Sequence, residues 1–268
     1  MDLALEDLLG RGESPYVVDI TGSGVIRRLP HLEGGAFGVG QVGRIIKALK
    51  KARVDRVVFL GKVDKRLLYK RRNLDLKALK ILLSLRDFSD DSILNAVIRE
   101  LEREGIEVVG QKEVLGSMIP GPGLLGGIPP DHGVMADVAF GFFMAKKIGE
   151  LGIGQTVVVK ERSVVAVEAV EGTDETIRRG GTLAGPGVVV VKAKRPSQSP
   201  LLDLPTVGVG TLDVLREVKG RALAVEAGET LVVHLDAMAR MAREGGMTLL
   251  AVDEAFLRDQ GFAGAWEK

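Results

Sequence analysis

The chain has 268 residues, 46% of them hydrophobic and 27% charged, with a formal net charge of +1. This is the balance of a folded chain of one large or two ordinary domains, and so small a net charge gives no general pull toward nucleic acid. There is no cysteine, which excludes disulfides, thiolate catalysis and cysteine-based zinc sites and fits a reducing compartment, and 4% aromatics is too sparse for base-stacking platforms.

The opening MDLALEDLLGRG is acidic and amphipathic, unlike a signal peptide, and no apolar run reaches the ~18 residues of a membrane span. Leu3 to Leu9 has helical spacing and is stopped by Gly10 and Gly12. Tyr16 to Ile20 predicts a strand with its turn at Gly22 and Gly24, and a short strand is expected at Ala36 to Val39. Gln41 to Ala52 predicts an amphipathic helix with Ile45, Ile46 and Leu49 on one face. Arg56 to Leu60 reads as a parallel-type strand and Leu74 to Leu85 as a leucine-rich helix. Asp90 or Asp91 caps a helix to Arg103, and Glu107 to Val109 is a further strand. Pro120 to Pro130, PGPGLLGGIPP, suits neither helix nor strand and reads as a boundary. Beyond it a helix is expected over Met135 to Leu151, and strands over Thr156 to Lys160, Val164 to Val170 and Val188 to Val191. Helices follow at Thr211 to Val218 and Leu235 to Arg243. Strands follow at Ala222 to Glu226, Leu231 to Val233 and Thr248 to Val252, and the tail from Asp253 is expected to be loosely held. Strands alternating with helices predict an α/β fold with a mostly parallel sheet.

The residues that carry chemistry gather between Glu168 and Gly208. Two buried-type strands there empty into polar residues: Glu171, Thr173 and Asp174 after the first, then Lys192, Lys194 and Arg195 after the second. Asp203 follows in a Leu-Asp-Leu-Pro turn. Ligands of open α/β sheets bind at the carboxyl ends of strands. Acids and lysines gathered there predict an anionic ligand held by cations, with carboxylates to carry a metal or activate a water. Gly172 permits close backbone approach, and Glu171, Thr173 and Asp174 offer oxygens to a hard cation such as Mg²⁺. The competing reading is a helix N-cap at Thr173 or Asp174. Lys192 and Lys194 alternate along an extended segment and are expected to face one side together, against the plainer reading of a surface strand end. Pro205 restricts Leu204 to extended geometry, which fixes the direction of Asp203.

Other motifs are weaker. Gly38-Val-Gly40-Gln-Val-Gly43 matches the dinucleotide fingerprint, but lacks a long preceding strand and a suitably spaced acid. A helix start facing a phosphate or sugar fits it better than a nicotinamide site. Lys62, Lys65, Arg66, Lys70, Arg71 and Arg72 form a basic run suited to a diphosphate or anionic lipid head groups, or to a plain solvated face. The leucines from Leu74 to Leu85 suit an acyl-chain groove, though periodicity alone favours core packing. His31, His132 and His234 lack metal-ligand spacing and read as structural; no serine nucleophile elbow is present.

VEAVEGTD, KAKRPSQ and DLPTVG, preceded by GQVGR and FLGKV, together resemble the UDP-2,3-diacylglucosamine pyrophosphatases of lipid A synthesis. The likeness is to the cysteine-free, non-calcineurin type found in many Gram-negative bacteria, and it covers most of the chain. It implies a Rossmann-like N-terminal domain over 1–120, a Pro/Gly-rich linker over 121–134 and an α/β C-terminal domain over 135–268. It implies hydrolysis of the pyrophosphate of UDP-2,3-diacylglucosamine to UMP and 2,3-diacylglucosamine 1-phosphate with a divalent cation, usually Mg²⁺. The family's essential aspartate falls on Asp203, here the catalytic candidate and, with Glu171 and Asp174, a candidate metal ligand. Thr173, Lys192, Lys194, Gln198, Thr206, Gln41, Gly43 and Lys62 become candidate substrate contacts. A cytoplasmic protein peripheral to the inner membrane is implied, with a homodimer left open.

Two departures stand out. The family opens with a strand and a glycine-rich loop, whereas this chain opens in what reads as the helix after them. An acid and an arginine usual after the glutamine are here Ser199 and Leu201. The rival readings are a non-catalytic nucleotide-sugar or lipid-binding homologue and, on the glycine motif alone, an NAD-dependent oxidoreductase.

Overall fold

A computed structural model describes residues 2–29, 31–61, 74–85, 90–196, 201, 204–262 and 264. The chain divides into two compact units, Met1–Val114 and Leu115–Lys268.

In the first unit, strands β1 (Val17–Asp19) and β2 (Gly34–Ala36) pair in parallel, as do β3 (Arg56–Val57) and β4 (Glu107–Val108). Helices link them, including Val42–Lys51, Leu76–Ser84 and Asp90–Arg103, which is the βαβ economy of a Rossmann-like unit. The short strand expected at Ala36 to Val39 lies two residues earlier. The Val42–Lys51 helix buries Ile46 and Leu49 as its periodicity requires, with Ile45 half-buried. The leucine-rich helix departs from the core-packing expectation: its buried residues are Ala78 and Ile81, while Leu76, Leu79 and Leu83 are exposed.

The second unit is built on a six-stranded sheet in the order β5–β12–β10–β8–β6–β7. These are β5 (Gly123–Gly127), β6 (Thr156–Lys160), β7 (Ser163–Val167), β8 (Val189–Lys192), β10 (Ala222–Glu226) and β12 (Thr248–Val252). A parallel pair, β9 (Thr206–Val207) with β11 (Leu231–Val232), stands apart. Strands β8, β10 and β12 are parallel, but β5 pairs antiparallel with β12, and β6 antiparallel with both β7 and β8. The sheet is therefore mixed, which corrects the mostly parallel expectation. One cause is the turn between β6 and β7. Glu161 and Arg162 both take positive φ (50° and 56°), the geometry of a two-residue hairpin. Asp137 accepts their backbone N–H groups at 3.0 and 2.6 Å.

The expected linker over 121–134 is also corrected. Its glycines make an edge strand, β5, and Asp131 caps a helix, His132–Glu150, by accepting from Val134 N–H at 2.8 Å. A Cβ on Gly126 would lie 2.5 Å from Ala239, so the glycines serve close packing of strand on helix. Over its described residues the tail from Asp253 is held: Glu254–Leu257 form a turn of helix, with Leu257 fully buried.

The central strands read as unbroken apolar runs because both faces are covered. On one face Val158, Val190 and Leu223 pack with Ile177, Leu212 and Met238 of the helices Thr173–Ala184, Val209–Glu217 and Leu235–Glu244. On the other, Val138, Phe142 and Ala145 of His132–Glu150 pack on Val157, Val189 and Val191. Strands β7, β8, β10 and β12 all point their carboxyl ends to one edge. Strand β6 begins there, with Thr156 opposite Lys192.

Candidate active site

That edge carries three buried charged residues of the second unit. Glu168 follows β7, Lys192 ends β8 and Glu226 ends β10, each at most 9% exposed. Beside them an open cleft of about 330 Å³ is lined by Glu171, Gly172, Thr173, Asp174, Glu175, Lys192, Thr206 and Thr211. Five sequence-predicted site residues, Glu171, Thr173, Asp174, Lys192 and Thr206, therefore share one cleft.

Two helices begin at it. Thr173–Ala184 is preceded by Gly172 and Val209–Glu217 by Gly208, and neither cap residue has a side chain that can accept from the first turn. The first-turn N–H groups and the positive ends of both helix dipoles open onto the cleft. With Lys192 lining the same cleft, this is a site for an anion of phosphate character. The alternative N-cap role for Thr173 or Asp174 is excluded, since both lie inside the helix. Thr173 turns its side chain to the sheet: its hydroxyl donates to Glu168 Oε1 at 2.9 Å and accepts from Lys192 Nζ at 2.8 Å.

Glu171 is not placed as a metal ligand. Its Oε1 accepts from Arg179 at 2.5 Å and from the Thr176 hydroxyl at 3.3 Å, and its Oε2 accepts from Ala169 N–H at 3.1 Å. Its own backbone N–H and Arg179 hold its carboxyl below the ordinary glutamate range. It ties the turn that leads into the helix. Among the described residues, no group of three or more His, Asp or Glu gathers to hold a metal. Of the other two acids at the cleft, Glu175 Oε1 accepts from Arg178 at 2.6 Å, which leaves Asp174. Asp203, Gln198 and Lys62 lie outside the described residues.

Lys192 and Lys194 do not act as a pair, because β8 ends at Lys192 and the alternation stops there. The Lys194 ammonium donates to Glu229 at 2.8 Å, and its backbone N–H donates to Glu226 Oε2 at 2.7 Å. Glu226 Oε1 accepts from Lys146 at 2.8 Å.

In the first unit, the helix start expected to face a phosphate is already met by an anion of the chain. Asp75 Oδ2 accepts from the N–H groups of Gly43 and Arg44 at 2.7 and 3.2 Å, and Asp75 Oδ1 caps Leu76–Ser84 through Ala78 N–H at 2.9 Å. Gln41 Oε1 accepts from Gly38 N–H at 3.0 Å and so holds its own loop. His132 packs against Phe262 with ring centroids 5.3 Å apart, and His234 precedes a helix at φ 60°.

Sequence reasoning missed Thr211, Lys146 and Glu226 as members of this edge. The signal for Thr211 was present in TVGVGT, where Gly208 marks a helix start beside the DLPTVG motif. Lys146 and Glu226 belong to an interior helix face and a strand end, and no local pattern separates them from solvated charges.

Comparison with known proteins fits the two units. Residues 3–118 match the family model described as the LpxI N-terminal domain, and residues 121–250 match the LpxI C-terminal domain. Over 236 residues the chain is 38% identical to UDP-2,3-diacylglucosamine pyrophosphatase LpxI of Caulobacter vibrioides, with 84% of each chain covered.

Proposed function

The chain belongs to the LpxI family, and from that premise we propose that it hydrolyses the pyrophosphate bond of UDP-2,3-diacylglucosamine in lipid A synthesis. The products are UMP and 2,3-diacylglucosamine 1-phosphate. The observation that carries this reading is the cleft in which Lys192 and two helix starts meet. Diphosphate oxygens accept there from the Lys192 ammonium and from first-turn N–H groups. Water attacks one phosphorus, a P–O bond forms, the bridging P–O bond breaks, and the water's proton is released. Donors already in place stabilise the charge that builds on the phosphoryl oxygens, without reorganisation during the step.

Asp203, which precedes β9 in the sequence, holds a cation or orients the water. A divalent cation, Mg²⁺ in this proposal, supplies charge neutralisation when bound, with Asp203 and Asp174 as its protein oxygens. The exposed Leu76, Leu79 and Leu83 of the first unit suit a peripheral encounter with the inner membrane; among the described residues, no helix is long and apolar enough to cross it.

The test is release of UMP from UDP-2,3-diacylglucosamine by the purified chain, with and without Mg²⁺. Metal-dependent release is expected. Tight binding of the nucleotide sugar with no release in any divalent metal would replace the hydrolase by a binding protein.

A further inference from the structure

A lysine ammonium is a compact charge on a flexible stem, so aiming it at a ligand needs a fixed acceptor. Lys192 is 6% exposed, and its Nζ donates to Thr173 Oγ1 at 2.8 Å. Thr173 has a single hydroxyl proton, and that proton goes to Glu168 Oε1 at 2.9 Å. The direction of the chain is thereby fixed: Lys192 gives to Thr173, and Thr173 gives to Glu168. The backbone holds Glu168 and Lys192 in register. Glu168 N–H donates to Thr156 O at 2.9 Å, and Thr156 lies opposite Lys192 in the sheet.

Glu168 itself is 8% exposed, and its second oxygen, Oε2, has no partner among the described residues. A buried carboxylate left half-satisfied works against folding. A neutral acceptor would receive the Thr173 hydroxyl as well, without that penalty. What the carboxylate adds is an acceptor that cannot donate, joined by a charge-assisted hydrogen bond, so the Thr173 proton stays on Glu168's side and its lone pair stays free for Lys192.

We propose that Glu168 is a positioning residue which, through the Thr173 hydroxyl, keeps the Lys192 ammonium aimed at the diphosphate of the substrate. This rests on the hydrolase reading for its substrate, but the anion-binding half of it is testable without turnover. The variants are Glu168→Gln, Thr173→Val, Thr173→Ser and the double Glu168→Gln/Thr173→Val. The readouts are kcat/KM for UMP release, the Kd of inorganic pyrophosphate by calorimetry, and the thermal midpoint.

Glu168→Gln and Thr173→Val are each expected to lower kcat/KM and weaken pyrophosphate binding about tenfold, as expected for disturbing one charge-assisted contact. Thr173→Ser keeps the hydroxyl and is expected to stay within about twofold of wild type. The double variant is expected to lose no more than either single, because a broken relay cannot be broken twice. If Glu168→Gln does not fold, the contrast between Thr173→Val and Thr173→Ser carries the decision. A Glu168→Gln protein with a lowered midpoint but wild-type kcat/KM and pyrophosphate Kd would overturn the proposal, as would a wild type that binds no pyrophosphate. A wild type that releases no UMP, yet shows the expected ranking in pyrophosphate binding, would overturn the hydrolase reading and leave the positioning role standing.

Discussion

The helix Val42–Lys51 in one unit and the helix Thr173–Ala184 in the other both start after a glycine-bearing turn. Both therefore present first-turn amides and a positive dipole end. At the first, the Asp75 carboxylate has taken the amides of Gly43 and Arg44 while capping its own helix. At the second, Gly172 offers no acceptor, a second glycine-capped helix starts beside the same cleft, and Lys192 lines it. A glycine turn before a helix is thus the same local feature in both places. What separates a structural joint from an anion site is whether a distant carboxylate of the chain arrives first.

The sharpest way to break this comparison is to remove charge from the open site. Asp203→Ala is expected to cut kcat by at least on the order of 10² to 10³, as losing one preorganised charge contact does. Near-normal UMP release by that variant would remove Asp203 from the chemistry. Lys192→Met is expected to lower kcat/KM by roughly 10- to 100-fold, the worth of a hydrogen bond from a charged donor. Lys194→Met should do less, because Glu229 and not the cleft holds its ammonium. Equal losses in the two lysine variants would mean that both reach the diphosphate.

Most of the second unit was legible from its apolar periodicity. Thr156–Lys160, Ala222–Glu226 and Thr248–Val252 form strands at the residues the short apolar runs and breakers mark. The site was legible as a segment, Glu168 to Gly208, because strand ends at charged residues are informative in α/β sheets. Three things were not. Asp75 sits 32 residues from Gly43, so its capture of that helix start has no local signature. Asp137 fixes the β6–β7 hairpin from within an interior helix, which turns part of an otherwise parallel pattern antiparallel. The glycines of 123–127 read as linker because glycine marks both loops and close packing, and only the approach of Ala239 decides between them.

Smaller perturbations sharpen the contrast through stability. Gly172 has φ 87° and ψ 171°, a region visited almost only by glycine, and a Cβ there would meet nothing within 4 Å. Gly172→Ala is therefore a test of backbone strain alone, expected to cost about 1–3 kcal/mol. It should also weaken pyrophosphate binding by displacing the helix start. Asp75→Ala removes the acceptor at two helix starts, with an expected cost of about 1–2 kcal/mol in urea unfolding. It should leave kcat within about twofold of wild type, since it strips a structural joint. A large loss of turnover in folded Asp75→Ala would show that the occupied helix start also serves the substrate.

The smallest expected effect comes from the charges that hold Asp75 in place. Glu104 accepts from both Lys50 and Lys77, on the Val42–Lys51 helix and on the helix that Asp75 caps. The Lys50 and Lys77 hydrogen bonds hold its carboxyl down to about 2, from an ordinary 4.5. Because the folded value is depressed, the stabilisation is fully present above about 4.5 and is lost as pH falls from there toward about 2. Wild type and Glu104→Gln should therefore differ modestly in urea midpoint near neutral pH, and the difference should close across that acid window. Added salt should shrink it at neutral pH, because the pair is partly exposed. UMP release should not change, since Glu104 supports the helix start that the chain has already filled and not the one that waits for a ligand. A midpoint difference that persists unchanged below pH 2 would assign the loss to packing of the side chain instead of its charge.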